Sequence, residues 1–179
     1  MMKKAGTLFI LFAASLWIAY PTTGKAENSS PASNPIQIFA KYLKEARFDS
    51  FPKEVIEKAK FLILDSIGCA LGAAQTDLGR IHIEVAKDLG GGPESTIIGE
   101  GTKISSMNAA YVNTQLANIL DFDDTYDFYS PGHPGCEIIQ TALAVGEEVG
   151  ASGEELLTAI ILGYEICLRA GRAPGSFLW

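Results

Sequence analysis

Residues 121–135 read DFDDTYDFYSPGHPG, and the 179-residue chain is organised around this stretch. It carries the carboxylates Asp121, Asp123, Asp124 and Asp127, together with His133, one of two histidines in the chain. Acidic side chains are seldom fully buried without a partner, and Pro131, Gly132, Pro134 and Gly135 interrupt regular structure. The composition therefore predicts an irregular loop presented by flanking helices, the usual place for a site. A histidine titrates near ~6.5 and can give or take a proton at neutral pH. His133 is accordingly the candidate acid/base group.

Outward from the loop, helical spacing dominates. On the amino-terminal side, Met107, Ala110, Tyr111, Leu116, Ala117 and Leu120 mark a helix capped by Ser105 or Ser106. Its small residues and amides predict an internal helix whose end delivers Asp121. On the other side, Ile139, Leu143 and Val145 place a helix over 136–149, and Ser152-Gly-Glu-Glu155 has the form of a capping box. The following run, 156–168, is apolar on nearly every side and predicts a central helix.

Earlier in the chain, Ile36, Phe39 and Leu43 share one face of a short helix over 36–45. Pro52 fits the first turn of a longer helix running to about Leu71, in which Asp65 is expected to be a buried structural carboxylate and Gly68 a close helix crossing. A third helix spans 77–89 with Leu78, Ile81, Val85 and Leu89 in step, and Gly90-Gly91-Gly92-Pro93 ends it. The β-branched residues of 95–99 and the short Lys103-Ile104 run predict a small hairpin packed on the helices. The fold class is all-α: a helical bundle with one short β-hairpin.

The run Asp121-Phe-Asp123-Asp124-Thr125 followed by His133-Pro134-Gly135 resembles the active-site loop of the MmgE/PrpD family, which includes 2-methylcitrate dehydratases, cis-aconitate decarboxylases and iminodisuccinate epimerases. Similar stretches recur at 60–70 (KFLILDSIGCA), 95–99 (STIIG), 108–120 and Gly163-Tyr164-Glu165. The resemblance implies a cofactor-independent lyase, a dehydratase or decarboxylase acting on a small citrate-like polycarboxylate. It implies His133, Asp121 and Thr125 as the catalytic set, with Asp123 and Asp124 as substrate-binding groups. It also implies a homodimer formed through the complete helical domain, and a second α+β domain that helps to close the active site. Residues 36–179 would then be an incomplete amino-terminal helical domain, inactive by itself. Seven residues separate Thr125 from His133, one or two more than in many members of the family. Specificity is therefore not carried over from any one of them.

Other readings compete. Asp121-x-Asp123-x-Thr125 also satisfies the DxDxT nucleophile pattern of a Mg²⁺-supported phosphatase, but that pattern should follow a buried strand. Here it follows a helical run, and no aspartate or lysine occurs after Asp127. Calcium binding of the EF-hand type fails because Tyr126 stands where glycine is required. A non-catalytic truncated remnant, or a dimerisation or binding domain, is the alternative of a different class.

The first 26 residues have a separate character. Lys3 and Lys4 precede the apolar run 5–20, and Gly24-Lys25-Ala26 offers a small-x-small cleavage pattern. Residues 1–26 read as a signal peptide for export to the periplasm or medium, with an uncleaved anchor as the alternative. Residues 27–35 read as a disordered Ser/Pro-rich linker. Cleavage would remove three lysines and no acid, leaving 11 basic residues against 21 acidic ones. Such a chain is no partner for nucleic acid, which needs clustered cations, and after signal cleavage no membrane association is expected. After Lys103 the only cationic residues besides His133 are Arg169 and Arg172, so the cations a polycarboxylate needs are expected from elsewhere. Cys69, Cys136 and Cys167 lack CxxC spacing. No metal site is read in them, Cys69 and Cys167 are expected as buried apolar-like thiols, and any disulfide among the three is left open.

Overall fold

The computed structural model describes residues 34–126 and 132–171. The expected signal peptide 1–26, nearly all of the linker 27–35, the loop segment 127–131 and the apolar tail Phe177-Leu178-Trp179 lie outside the described residues. Six helices and one minimal hairpin follow in order: α1 Pro35–Glu45, α2 Lys53–Ala73, α3 Asp77–Leu89, β1 Ser95–Thr96, β2 Lys103–Ile104, α4 Ser106–Asn118, α5 Pro134–Val149 and α6 Gly153–Gly171. A single 3₁₀ turn, Phe48–Ser50, lies between α1 and α2. The all-α architecture and the hairpin agree with the sequence.

Helix α4 is the internal member. It packs on α2, α3 and α5 and on both strands, burying Ala109, Val112, Asn113, Leu116 and Ala117. Its small residues let neighbouring helices approach, and its amides satisfy the irregular backbone around it. Asn113 shows this directly: its Oδ1 accepts from Ile98 N–H at 2.9 Å while its Nδ2 donates to the Thr96 carbonyl at 2.9 Å. Asn108 likewise donates to the Gly90 carbonyl at 2.9 Å. The strands pair antiparallel, Ser95 opposite Ile104 and Thr96 opposite Lys103. Glu147 of α5 then holds the hairpin, accepting from Thr96 N–H and Oγ1, each at 2.7 Å, and from Lys103 Nζ at 2.8 Å.

Several caps stand as the sequence predicts. Ser105 Oγ accepts from Asn108 N–H at the start of α4, and the Ser152/Glu155 capping box opens α6 with both reciprocal bonds. The stripe Leu78, Ile81, Val85, Leu89 of α3 is turned outward, 47% exposed at Val85 and 59% at Ile81 and Leu89. Gly79, Ile83 and Ala86 face the core instead, because Gly79 comes so close to α2 that an added Cβ would sit 2.0 Å from the Ala73 carbonyl oxygen. The expectation that α6 is a central helix is corrected: among its described residues only Ile160 and Leu162 are buried. Asp65 and Gly68 are both exposed, with open space beside Gly68 rather than a helix crossing. Cys167 is exposed and Cys69 intermediate, whereas Cys136 is buried; all three thiols are free.

Candidate functional site

The site is built where α4 stops and α5 starts. Helix α4 ends through a tight turn in which Asp121 N–H donates to the Asn118 carbonyl at 2.9 Å. Asp121 takes φ = 54°, and among the described residues it is the one non-glycine with positive φ. Aspartate tolerates this left-handed region better than most side chains. The turn throws the next residues back along the helix end.

The loop returns by a short antiparallel bridge. Tyr126 N–H donates to the Gly132 carbonyl at 2.9 Å, and Gly132 N–H donates back to the Tyr126 carbonyl at 3.2 Å. The long spacing between Thr125 and His133 is thereby closed off at its base. His133 follows the bridge at once and stands immediately before Pro134, the first residue of α5. The Cys136 thiol donates to the His133 carbonyl at 3.0 Å. Burial and then the Asp123 charge push that thiol up to about 12, so Cys136 remains a protonated donor.

The imidazole lies between two carboxylates. Its Nδ1 is 3.2 Å from Asp123 Oδ1, and its Nε2 is 3.5 Å from Asp121 Oδ1. The two acids differ sharply: the Asp123 side chain has no solvent exposure, whereas that of Asp121 is 83% exposed. Asn118 Nδ2 lies 3.3 Å from each Asp123 oxygen and holds that carboxylate from the helix end. An open cavity of about 310 Å³ adjoins the ring, lined by Thr114, Gln115, Asn118, His133, Cys136 and Glu137, with the Gly132 backbone. Among the described residues no lysine or arginine lines it.

Asp124 points elsewhere. It accepts from Tyr164 of α6, whose hydroxyl donates to Oδ2 at 2.9 Å, and from the backbone N–H of Gly135. Burial raises the Asp124 carboxyl above its ordinary value, against the lowering effect of those hydrogen bonds. Burial, followed by the Asp124 charge, pushes the Tyr164 phenol up in turn. The contact depends on Gly135, because a Cβ there would lie 1.9 Å from Asp124 Oδ1 and 2.6 Å from the Tyr164 hydroxyl. Thr125 is exposed and makes no hydrogen bond among the described residues.

Of the five residues singled out in the sequence, the structure thus gathers His133, Asp121 and Asp123, turns Asp124 toward α6, and leaves Thr125 at the surface. Asn118 and Tyr164 complete the arrangement and were not singled out. Asp121, Asp123 and His133 also offer one donor atom each within 4.8 Å of one another, a spread that a metal could use. The carboxylates, however, address opposite nitrogens of the ring. Of the two contacts, Asp123 to Nδ1 is a hydrogen bond, whereas Asp121 to Nε2 at 3.5 Å is an electrostatic contact only.

A family model described as the MmgE/PrpD N-terminal domain matches residues 37–176. The chain belongs to the MmgE/PrpD family. Similar curated proteins include a cis-aconitate decarboxylase of Aspergillus terreus, 25% identical over 156 residues, covering 84% of this chain and 32% of that protein. A second from Aspergillus terreus strain NIH 2624 is 28% identical over 130 residues, 70% of this chain and 26% of that protein. The Homo sapiens cis-aconitate decarboxylase is 26% identical over 133 residues, 72% of this chain and 27% of that protein. The chain therefore spans a third or less of the length of these relatives, and as an MmgE/PrpD N-terminal domain it is homologous to a decarboxylase and dehydratase family.

Proposed function

We propose that this chain is the amino-terminal helical part of a cofactor-independent lyase that removes water or CO₂ from a small citrate-like polycarboxylate. The observation that carries the reading is the His133 imidazole, held between Asp121 and Asp123 at the edge of an open cavity. Elimination of this kind moves a proton at a carbon beside a carboxylate. His133 is the group to move it, and a positioned acid/base contributes roughly 10²- to 10⁴-fold in rate. Asp121 and Thr125, both exposed on the loop, are the groups to hold a substrate hydroxyl and carboxylate. Relatives named cis-aconitate decarboxylases support the substrate class.

The cavity's charge sets a condition on this reading. Glu137 and Asp121 would repel a polyanion, so the cations that bind its carboxylates come from outside the described residues. The chain alone is accordingly inactive. Export by the segment 1–26 and homodimer formation through the helical domain belong to the same proposal. A second reading, a binding or dimerisation domain without catalysis, is favoured by the outward apolar stripe of α3.

The test is turnover of the full-length protein against a panel of citrate-like acids, with His133→Ala alongside. Turnover should fall at least tenfold while the thermal transition is kept. Unchanged turnover would remove His133 from the chemistry, and absence of turnover on every acid would favour the binding reading.

A further inference from the structure

We infer that Asp123 is not a substrate ligand but the positioning residue that fixes the tautomer and orientation of His133, with Asn118 holding Asp123 in place. The inference rests on the reading of His133 as the acid/base group and deepens it. Two observations separate Asp123 from its neighbours. Its side chain is without solvent exposure, so a molecule entering the cavity does not reach it. Its oxygens are already engaged, by Asn118 Nδ2 at 3.3 Å to each and by His133 Nδ1 at 3.2 Å to Oδ1.

The consequence follows from what each group can do. An ionised carboxylate only accepts, so its partner nitrogen must carry the proton. Asp123 therefore assigns the proton to Nδ1 and leaves the Nε2 lone pair directed to the other side, where Asp121 stands. The Asp121 contact, at 3.5 Å, is beyond ordinary hydrogen-bond length, and its side chain is exposed. A substrate group can displace it. When Nε2 takes a proton, the positive ring remains beside the buried Asp123 charge, and when it gives the proton back the same tautomer is restored. Nothing is consumed in this cycle.

Asn118 makes the device rigid. It is the last residue of α4, and its carbonyl accepts from Asp121 N–H while its amide holds Asp123. One residue thus sets both carboxylates relative to the ring. Asp124 takes no part, since it is bound to Tyr164 and Gly135.

Full-length protein carrying Asp123→Asn, Asn118→Ala and His133→Ala tests the inference by kinetics and by ¹⁵N NMR of the imidazole at alkaline pH, where the ring is neutral. Wild-type His133 should show the Nδ1–H tautomer. Asp123→Asn should lower kcat at least tenfold with KM within about threefold, because an amide can donate to Nδ1 and favours the wrong tautomer; the loss of such a carboxylate elsewhere reaches roughly 10⁴-fold. Asn118→Ala should lower kcat severalfold with the tautomer retained. A KM increase at constant kcat in Asp123→Asn would make Asp123 a substrate ligand after all and overturn the inference. So would a wild-type spectrum of the Nε2–H tautomer, a result obtained even if the variant does not fold. Loss of activity in His133→Ala with full activity in Asp123→Asn would sink this inference alone, whereas full activity in His133→Ala would sink the reading beneath it.

Discussion

Asp121 holds a left-handed backbone conformation at the end of α4 while its carboxylate addresses His133. A side chain other than glycine in that region costs of order 1–3 kcal/mol, less for aspartate than for most residues. Glycine would relieve the strain but gain freedom in the unfolded chain, worth about 0.5–1 kcal/mol in the other direction. Asp121→Gly is therefore expected to leave the melting temperature unchanged or slightly raised while turnover of the full-length protein drops at least tenfold. A variant that melts much earlier would show that the aspartate is there for the turn. At this scale the sequence was informative about identity and poor about direction. His133 and the acids stood out because polar, glycine- and proline-rich composition marks a loop. Which acid faces the ring was hidden, because Asp123 and Asp124 are adjacent yet find partners on different elements, Asn118 and Tyr164, five and forty residues away.

Helix ends and capping motifs were legible because their chemistry is confined to three or four residues. The α3 boundaries 77–89 and the Ser152/Glu155 box were both readable in this way. The outward turn of the α3 stripe was not, since periodicity defines an apolar stripe but not the element that covers it. The hairpin is an element held from outside. Burial opposes ionisation of Glu147, but its hydrogen bonds from Lys103 and Thr96 outweigh this and keep its carboxyl below the ordinary value of 4.5. A depressed acid contributes stability that is complete above its unfolded value and lost as pH falls through the folded one. Acidification through the folded value, which lies below 4.5, should therefore weaken the Glu147 hold on the hairpin, while Ser95 Oγ still donates to the Ala144 carbonyl of α5. The Thr96 amide resonance should titrate with a midpoint below that value, and Glu147→Gln should abolish the titration. A midpoint at or above 4.5 would mean that the latch is not formed in solution.

For the whole molecule, the described residues place His133, the proposed acid/base group, at an open cavity that no described lysine or arginine lines. They leave apolar residues of α3, with Phe61 and Leu64 of α2, at the surface. Both features are what the proposed completion of the site by further protein requires; the chain covers 26–32% of the relatives it matches. The chain by itself is expected to bind and turn over citrate-like acids poorly or not at all, and the full-length protein to do both. Proton movement is the step this domain would contribute, so it can be followed apart from overall turnover. The most direct measurement is incubation of full-length protein with a panel of citrate-like acids in D₂O, reading deuterium at the carbon beside the carboxylate. Exchange is expected with the wild type and at least tenfold slower exchange with a folded His133→Ala variant; equal exchange rates in the two would contradict the role of the imidazole.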